Sequence, residues 1–210
     1  MKPPLALNDD WTPLGFSSSD NVAAELVFAG YGVSAKDYGY DDYAGLDVKN
    51  KVVLVLRYEP PPKSDKSPFR KAPDYSNHST LRTKANNARD HGATGLILVD
   101  LNGRGDDKAE LISTLGSLSR GGNSLVAAQV KRRVIEPWLE RRGVSLAALK
   151  EKIDRDEKPA SLAIPNGSVQ LQVTLQENRA HTDNVIAVLP GADSSLRDQI
   201  IIIEIGRAHV

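Results

Sequence analysis

Glu25 to Arg57 reads ELVFAGYGVSAKDYGYDDYAGLDVKNKVVLVLR. Two apolar runs bracket a segment rich in Gly, Tyr and Asp. Val52 to Leu56 is continuously apolar and mostly β-branched, the pattern of a strand covered on both faces. Ala24 to Ala29 is a second strand candidate. Tyr31 to Gly45 is predicted as a loop, because its Gly and Asp residues punctuate any regular period. Together with the helical segments that follow it in the chain, the stretch points to a mixed α/β fold.

Working outward, residues 59–75 are rich in Pro, Lys and Ser and read as an exposed excursion. Ser79 or Thr80 then caps a helix with Leu81, Ala85 and Ala88 at i, i+4 and i+7, and Gly92 suits its C-terminal end. Leu96 to Val99 is the next apolar run, and strand, helix, strand predicts a crossover unit with parallel strands. Leu125 to Val130 is a further strand candidate. Val134, Ile135, Trp138 and Leu139 form a helical stripe in which Pro137 must kink the helix or sit in its first turn. Ser145 caps another helix carrying Leu146, Leu149 and Ile153.

After this comes a short strand, Lys158 to Ile164, and a turn at Pro165-Asn166-Gly167. Val169, Leu171, Val173 and Leu175 then alternate with polar residues, the mark of a half-buried antiparallel strand. Asn184 to Leu189 and Ile200 to Ile203 are read as further strands. The resulting division is a lead-in over residues 1–21, a domain over 22–165, the first strands of a second unit over 168–204, and a tail over 205–210.

Lys+Arg and Asp+Glu are both 27, giving a formal net charge of zero. No basic surplus directs the chain to nucleic acid or an anionic membrane. The basic cluster Lys131, Arg132, Arg133, Arg141 and Arg142 is interleaved with Glu136 and Glu140, as on a solvated helix face. The absence of cysteine rules out disulfides and thiolate metal sites within these residues. No apolar run has the length of a membrane span, and the first ten residues do not read as a signal peptide.

Several segments in order resemble the protease-associated (PA) domain of bacterial di-zinc aminopeptidases of metallopeptidase family M twenty-eight. They are Glu25–Arg57, the helix and strand STLRTKANNARDHGATGLILVD from Ser79 to Asp100, the AAQVKRRV segment from Ala127 to Val134, and the paired helices after it. The stretch RAHTDNVIAVLPGADSSLRDQIIII, Arg179 to Ile203, resembles the start of the catalytic domain of that family. The resemblance implies a β-sandwich or barrel-like sheet with flanking helices, followed by the first strands of an incomplete aminopeptidase sheet. It also implies a parent that removes N-terminal residues from peptides with zinc as cofactor, and a PA domain that lies beside the cleft and restricts access, shapes the pocket or holds partners. An exported or cell-envelope parent in a bacterium is implied as well, with the native N-terminus absent here. A stand-alone PA-type interaction module without a peptidase parent is the alternative, since such domains also occur in receptors and sorting proteins.

In the family the last of these strands runs into a Gly-Ala-His-x-Asp-like segment that supplies early zinc ligands. Here Glu204-Ile205-Gly206-Arg207-Ala208-His209-Val210 departs from that pattern. Ile205 to Val210 can be encoded by ATCGGAAGAGCACACGTC, a string similar to a sequencing-library adapter. The tail is therefore expected to be non-native, and the chain truncated, inactive and without metal ligands of its own.

The four histidines, His78, His91, His181 and His209, make no metal-ligand spacing with one another. Asp100 to Leu111 departs from a calcium loop at Arg104 and at Leu111. The glycines between Gly30 and Gly45 lack the Lys-Ser/Thr of a phosphate cradle, and a Gly-x-Ser-x-Gly elbow does not occur. Tyr38, Tyr40 and Tyr43, with Asp37, Asp41 and Asp42, are the binding candidates, because Tyr offers flat amphipathic contact area. The same pattern suits Tyr packing the loop onto the sheet while Asp caps a turn, and that account carries more weight. Apolar strands left uncovered after residue 168 are expected to promote self-association.

Overall fold

The computed structural model describes residues 5–102, 111–114, 125–176, 186–189, 192–196, 199 and 201. They fall into two compact units, Met1–Gln176 and Glu177–Val210.

The first unit is a mixed α/β fold. Its elements are β1 (Trp11–Pro13), β2 (Asp20–Phe28), β3 (Ser34–Ala35), β4 (Tyr40–Asp41), β5 (Val52–Leu56), α1 (Leu81–Asp90), β6 (Gly95–Val99), β7 (Val126–Val130), α2 (Arg132–Glu140), α3 (Leu146–Asp156) and β8 (Leu162–Val173). A six-stranded sheet runs in the order β1-β7-β6-β5-β2-β8, and β3 pairs with β4 separately. β2, β5, β6 and β7 are parallel neighbours, while β1 and β8 close the two sides in antiparallel fashion. The crossover through α1 thus joins parallel β5 and β6, as the strand–helix–strand order predicts.

The pleat divides the apolar residues between two faces. Leu26, Phe28, Val52, Leu54, Leu56, Ile97 and Val99 form one core with Ile135 and Leu139 of α2 and Leu146 and Ile153 of α3. Val27, Val53, Val55, Leu96 and Leu98 form the other with Ala85 and Ala88 of α1. Burial of each large side chain stabilises by about 1.5–3 kcal/mol, which is why the central strands are apolar at every position.

The helix termini follow their caps. Thr80 Oγ1 accepts from Thr83 N at 3.3 Å, and Ser145 Oγ accepts from Ala148 N at 3.3 Å. Pro137 lies inside α2, past its first turn.

Three readings change. The opening residues, expected as a lead-in, contribute β1, and both Leu14 and Phe16 are buried in the second core. The expected turn at Pro165-Asn166-Gly167 does not end a strand. β8 passes through it, and the pairing with β2 shifts register between Glu25↔Ser168 and Val27↔Ala163, so the turn residues form a bulge. Beyond the bulge Val169 to Val173 pair with Ala24 to Asp20, within the first unit.

The second unit has a 3-10 turn at Ser194–Leu196, with Asp193 Oδ1 accepting from Ser195 N at 2.8 Å. Residues 186–189, expected within an apolar strand, lie outside any strand, and Ile186, Val188 and Leu189 are exposed. An apolar run forms a strand only when a neighbour takes its backbone groups, and the described residues supply none. Most of the expected strand Ile200–Ile203, and His181 and His209, lie outside the described residues.

Candidate functional site

The loop after β2 is built around Asp42. Gly30 has φ +48°, and a Cβ there would lie 2.1 Å from Asp42 Oδ1, so only glycine fits. The carboxylate is fully buried. Its Oδ2 accepts from Tyr31 N and Val33 N, each at 3.0 Å, and its Oδ1 accepts from the Tyr40 hydroxyl at 3.0 Å. Burial pushes the Asp42 carboxyl up to about 7, against the pull of these donors and of Lys84.

Lys84 enters from α1 and has no exposed surface. Its Nζ donates to the carbonyl oxygens of Tyr31 and Tyr58 and lies 5.8 Å from the centre of the Tyr31 ring. Burial lowers it to about 7, while Asp42 and Glu59 pull the other way. Glu59, also buried, accepts from Arg70 N at 2.9 Å, from Ser76 N at 2.7 Å and from the Ser76 hydroxyl. The Tyr31 hydroxyl donates to Asp154 of α3 at 2.7 Å, and burial followed by that bond raises its pKa well above the usual phenol value.

The surface over this network holds a cavity of about 310 Å³ lined by Ser34, Ala35, Lys36, Asp37, Tyr38 and His78. Tyr38 is 63% exposed at its mouth. Lys36 Nζ is 3.7 Å from Asp41. The His78 ring stands edge-on to Phe69 with centroids 6.2 Å apart. One cation, one anion, an imidazole and an aromatic ring around a small concavity can hold a peptide-like group by non-covalent contacts.

The three tyrosines singled out by sequence go to different places. Tyr38 is at the cavity. Tyr40 is buried in the core under α2 and α3, edge-on to Phe69 at 5.0 Å. Tyr43 is buried in the opposite core and stacks on His91 at 4.3 Å. Asp37 lines the cavity, Asp41 caps Tyr43 N at 3.1 Å, and Asp42 is the buried carboxylate.

Lys84 and Glu59 carry no sequence motif. Lys84 did leave a signal: with Leu81, Ala85 and Ala88 it completes an i, i+3, i+4, i+7 stripe, so the apolar face of α1 carries one lysine.

Among the described residues no three His, Asp or Glu side chains converge as metal ligands. His91 Nδ1 is 2.7 Å from Asn87 O, and its ring is committed to Tyr43. The described residues therefore do not fit a zinc pair. Among them no helix is long and apolar enough to cross a membrane.

Solved structures similar to this chain include an aminopeptidase from Aneurinibacillus sp. strain AM-1, at 20% identity and TM-score 0.40 over 78% of this chain and 29% of that one. A zinc aminopeptidase from Bacillus subtilis is 17% identical with TM-score 0.38, over 76% of this chain and 29% of that one. The chain thus spans 29% of the length of each. No curated protein matches it. The model of the PA domain matches residues 22–135, more than half of the sequence, and the chain belongs to the PA domain family.

Proposed function

We propose that this chain provides the non-catalytic, substrate-access or interaction domain of a zinc-dependent aminopeptidase and has no peptidase activity by itself. The observation that carries this reading is the order of two segments. A PA domain over residues 22–135 is followed by Arg179–Ile203, whose Thr182-Asp183-Asn184-Val185-Ile186 run and Pro190-Gly191 turn resemble the opening of that family's catalytic domain. In the parent a zinc pair would polarise the scissile carbonyl and generate hydroxide, using His, Asp and Glu ligands from several loops.

The PA domain would contribute a shaped surface. The cavity at Tyr38 offers Lys36 and Asp37 as opposite charges and Tyr38 as a flat apolar wall. That combination suits a peptide or protein segment that presents both apolar and charged groups. The test is zinc titration of the purified chain with assay on aminoacyl chromogenic substrates and short peptides. The expected result is weak, non-stoichiometric zinc uptake and no turnover. Tight stoichiometric zinc binding, or peptide turnover that zinc restores after chelation, would overturn the reading.

A further inference from the structure

Two loops on the cavity side of the domain are each closed around one buried carboxylate. Asp42 closes the first, through Tyr31 N, Val33 N and the Tyr40 hydroxyl. Glu59 closes the second, through Arg70 N, Ser76 N and the Ser76 hydroxyl. Lys84 touches both. Its ammonium donates to Tyr31 O, inside the first closure, and to Tyr58 O, the residue that precedes Glu59. We infer that Lys84 is a latch that makes the two loops open and close as one unit and so sets the width of the cavity between Tyr38 and His78.

The cavity takes one wall from each loop. Residues 34–38 belong to the Asp42 loop. His78 follows the Glu59 loop, and its N–H donates at 3.1 Å to the Ser76 hydroxyl that Glu59 holds. The path from wall to wall runs from Tyr38 through the Asp42 loop to Lys84, then through Tyr58 and Glu59 to Ser76 and His78. Asp42 and Glu59 both attract the ammonium across this path. Tyr31 and Tyr58 face it with their carbonyls, Asp154 of α3 holds the Tyr31 hydroxyl, and Asn87 of α1 donates to Gly32 O at 2.9 Å. Asn87 ties only the first loop to α1. The Tyr40 ring of the first loop also meets Phe69 of the second edge-on at 5.0 Å, an apolar contact, whereas Lys84 bonds to the backbone beside both carboxylates and supplies a polar link between the loops. Buried polar networks of this kind act through all their members together.

Amide hydrogen exchange on the full chain tests the latch. In the unaltered protein, Tyr31 and Val33 amides on one side, and Arg70 and Ser76 amides on the other, should show protection equal to within about threefold. Lys84→Met keeps the apolar stem and removes the donors. It should lower protection of both sets by one common factor, about tenfold or more, and leave the β5–β6 ladder amides unchanged. Should Lys84→Met fail to fold, Glu59→Gln serves: Tyr31 and Val33 should lose protection although Glu59 does not bond to them. Unequal protection in the unaltered protein, loss confined to one loop in either variant, no loss in either loop, or equal loss throughout the sheet would each overturn the latch.

Discussion

An added Cβ on Gly30 would lie 2.1 Å from Oδ1 of Asp42, closer than any real Cβ contact, and Gly30 has φ +48°. The backbone at the end of β2 therefore passes directly against the buried carboxylate that organises the loop. Gly30→Ala would combine a left-handed strain with displacement of Asp42 from its three donors. The expected loss is about 2–4 kcal/mol, read as a lower urea midpoint with an unchanged denaturant slope. A midpoint within error of the unaltered protein would show that the loop has room that the structure does not give it.

The pH dependence of stability follows from Asp42 and Lys84. Asp42 titrates at about 7 when folded against an ordinary 3.8. Its folded form holds the proton longer, so its contribution is complete below the ordinary value and is lost as pH rises to about 7. Lys84 titrates at about 7 when folded against an ordinary 10.5. Its contribution is complete above the ordinary value and is lost as pH falls to about 7. Together the pair contributes least near neutrality and more on either side, with slopes of at most about 1.4 kcal/mol per pH unit. Glu59, Tyr31, Tyr40, Tyr58 and Asp154 face or border the pair and stay in place in the reference variant. Subtracting the stability curve of Asp42→Asn/Lys84→Met from that of the unaltered protein should leave a curve with its minimum near pH 7. A flat or monotonic difference would count against both assignments.

The parts of the fold that were legible are those where one physical demand dominates. Val52 to Leu56 and Leu96 to Val99 are apolar at every position because helices cover both faces. Thr80 and Ser145 show as caps because their side chains satisfy free amides. Val169, Leu171 and Val173 alternate because one side of that ribbon faces the sheet. Legibility fails where tertiary context decides. The three residues Trp11 to Pro13 have no strand pattern of their own and become β1 by pairing with β7. Pro165-Asn166-Gly167 has the chemistry of a turn, but the chain keeps its direction and spends those residues in a bulge against β2. At the site, Tyr38 is exposed, whereas Tyr40 and Tyr43 are buried in opposite cores, a division that the Tyr spacing alone does not announce. Burial of Lys84 depends on carbonyls from two distant segments, which no local pattern announces.

Gly95 opens β6 beneath the ribbon formed by β2 and β8. A Cβ there would meet Val52 Cγ2 at 3.1 Å and Leu171 Cδ1 at 3.2 Å. Gly95→Val is expected to overpack this junction at a cost of about 1–3 kcal/mol. Leu171 is half-buried and can yield, so adding Leu171→Ala should recover part of the loss. A double-mutant cycle on unfolding free energy reads the coupling. Strict additivity of the two changes would mean that Leu171 does not pack over Gly95.

The end of the first compact unit makes a prediction about truncation. The strand pattern alone suggests cutting near Pro165, but Val169 to Val173 pair with Asp20 to Ala24, and Ser19 Oγ accepts from Leu175 N at 2.8 Å. Stopping after Gly167 would strip β2 of that partner and expose Val22 and Ala24 together with an open strand edge. Stopping after Gln176 keeps every one of these pairings and removes the exposed Ile186, Val188, Leu189 and Ile201. The chain of residues 1–176 is expected to be more soluble than the full chain and monomeric, and that of residues 1–167 to aggregate or lose several kcal/mol of stability (about 3 or more, from the six paired residues Ser168 to Val173 and their apolar face). Light scattering and urea unfolding of the two truncations decide the matter: equal stability and solubility would show that the ribbon lies outside the cooperative unit.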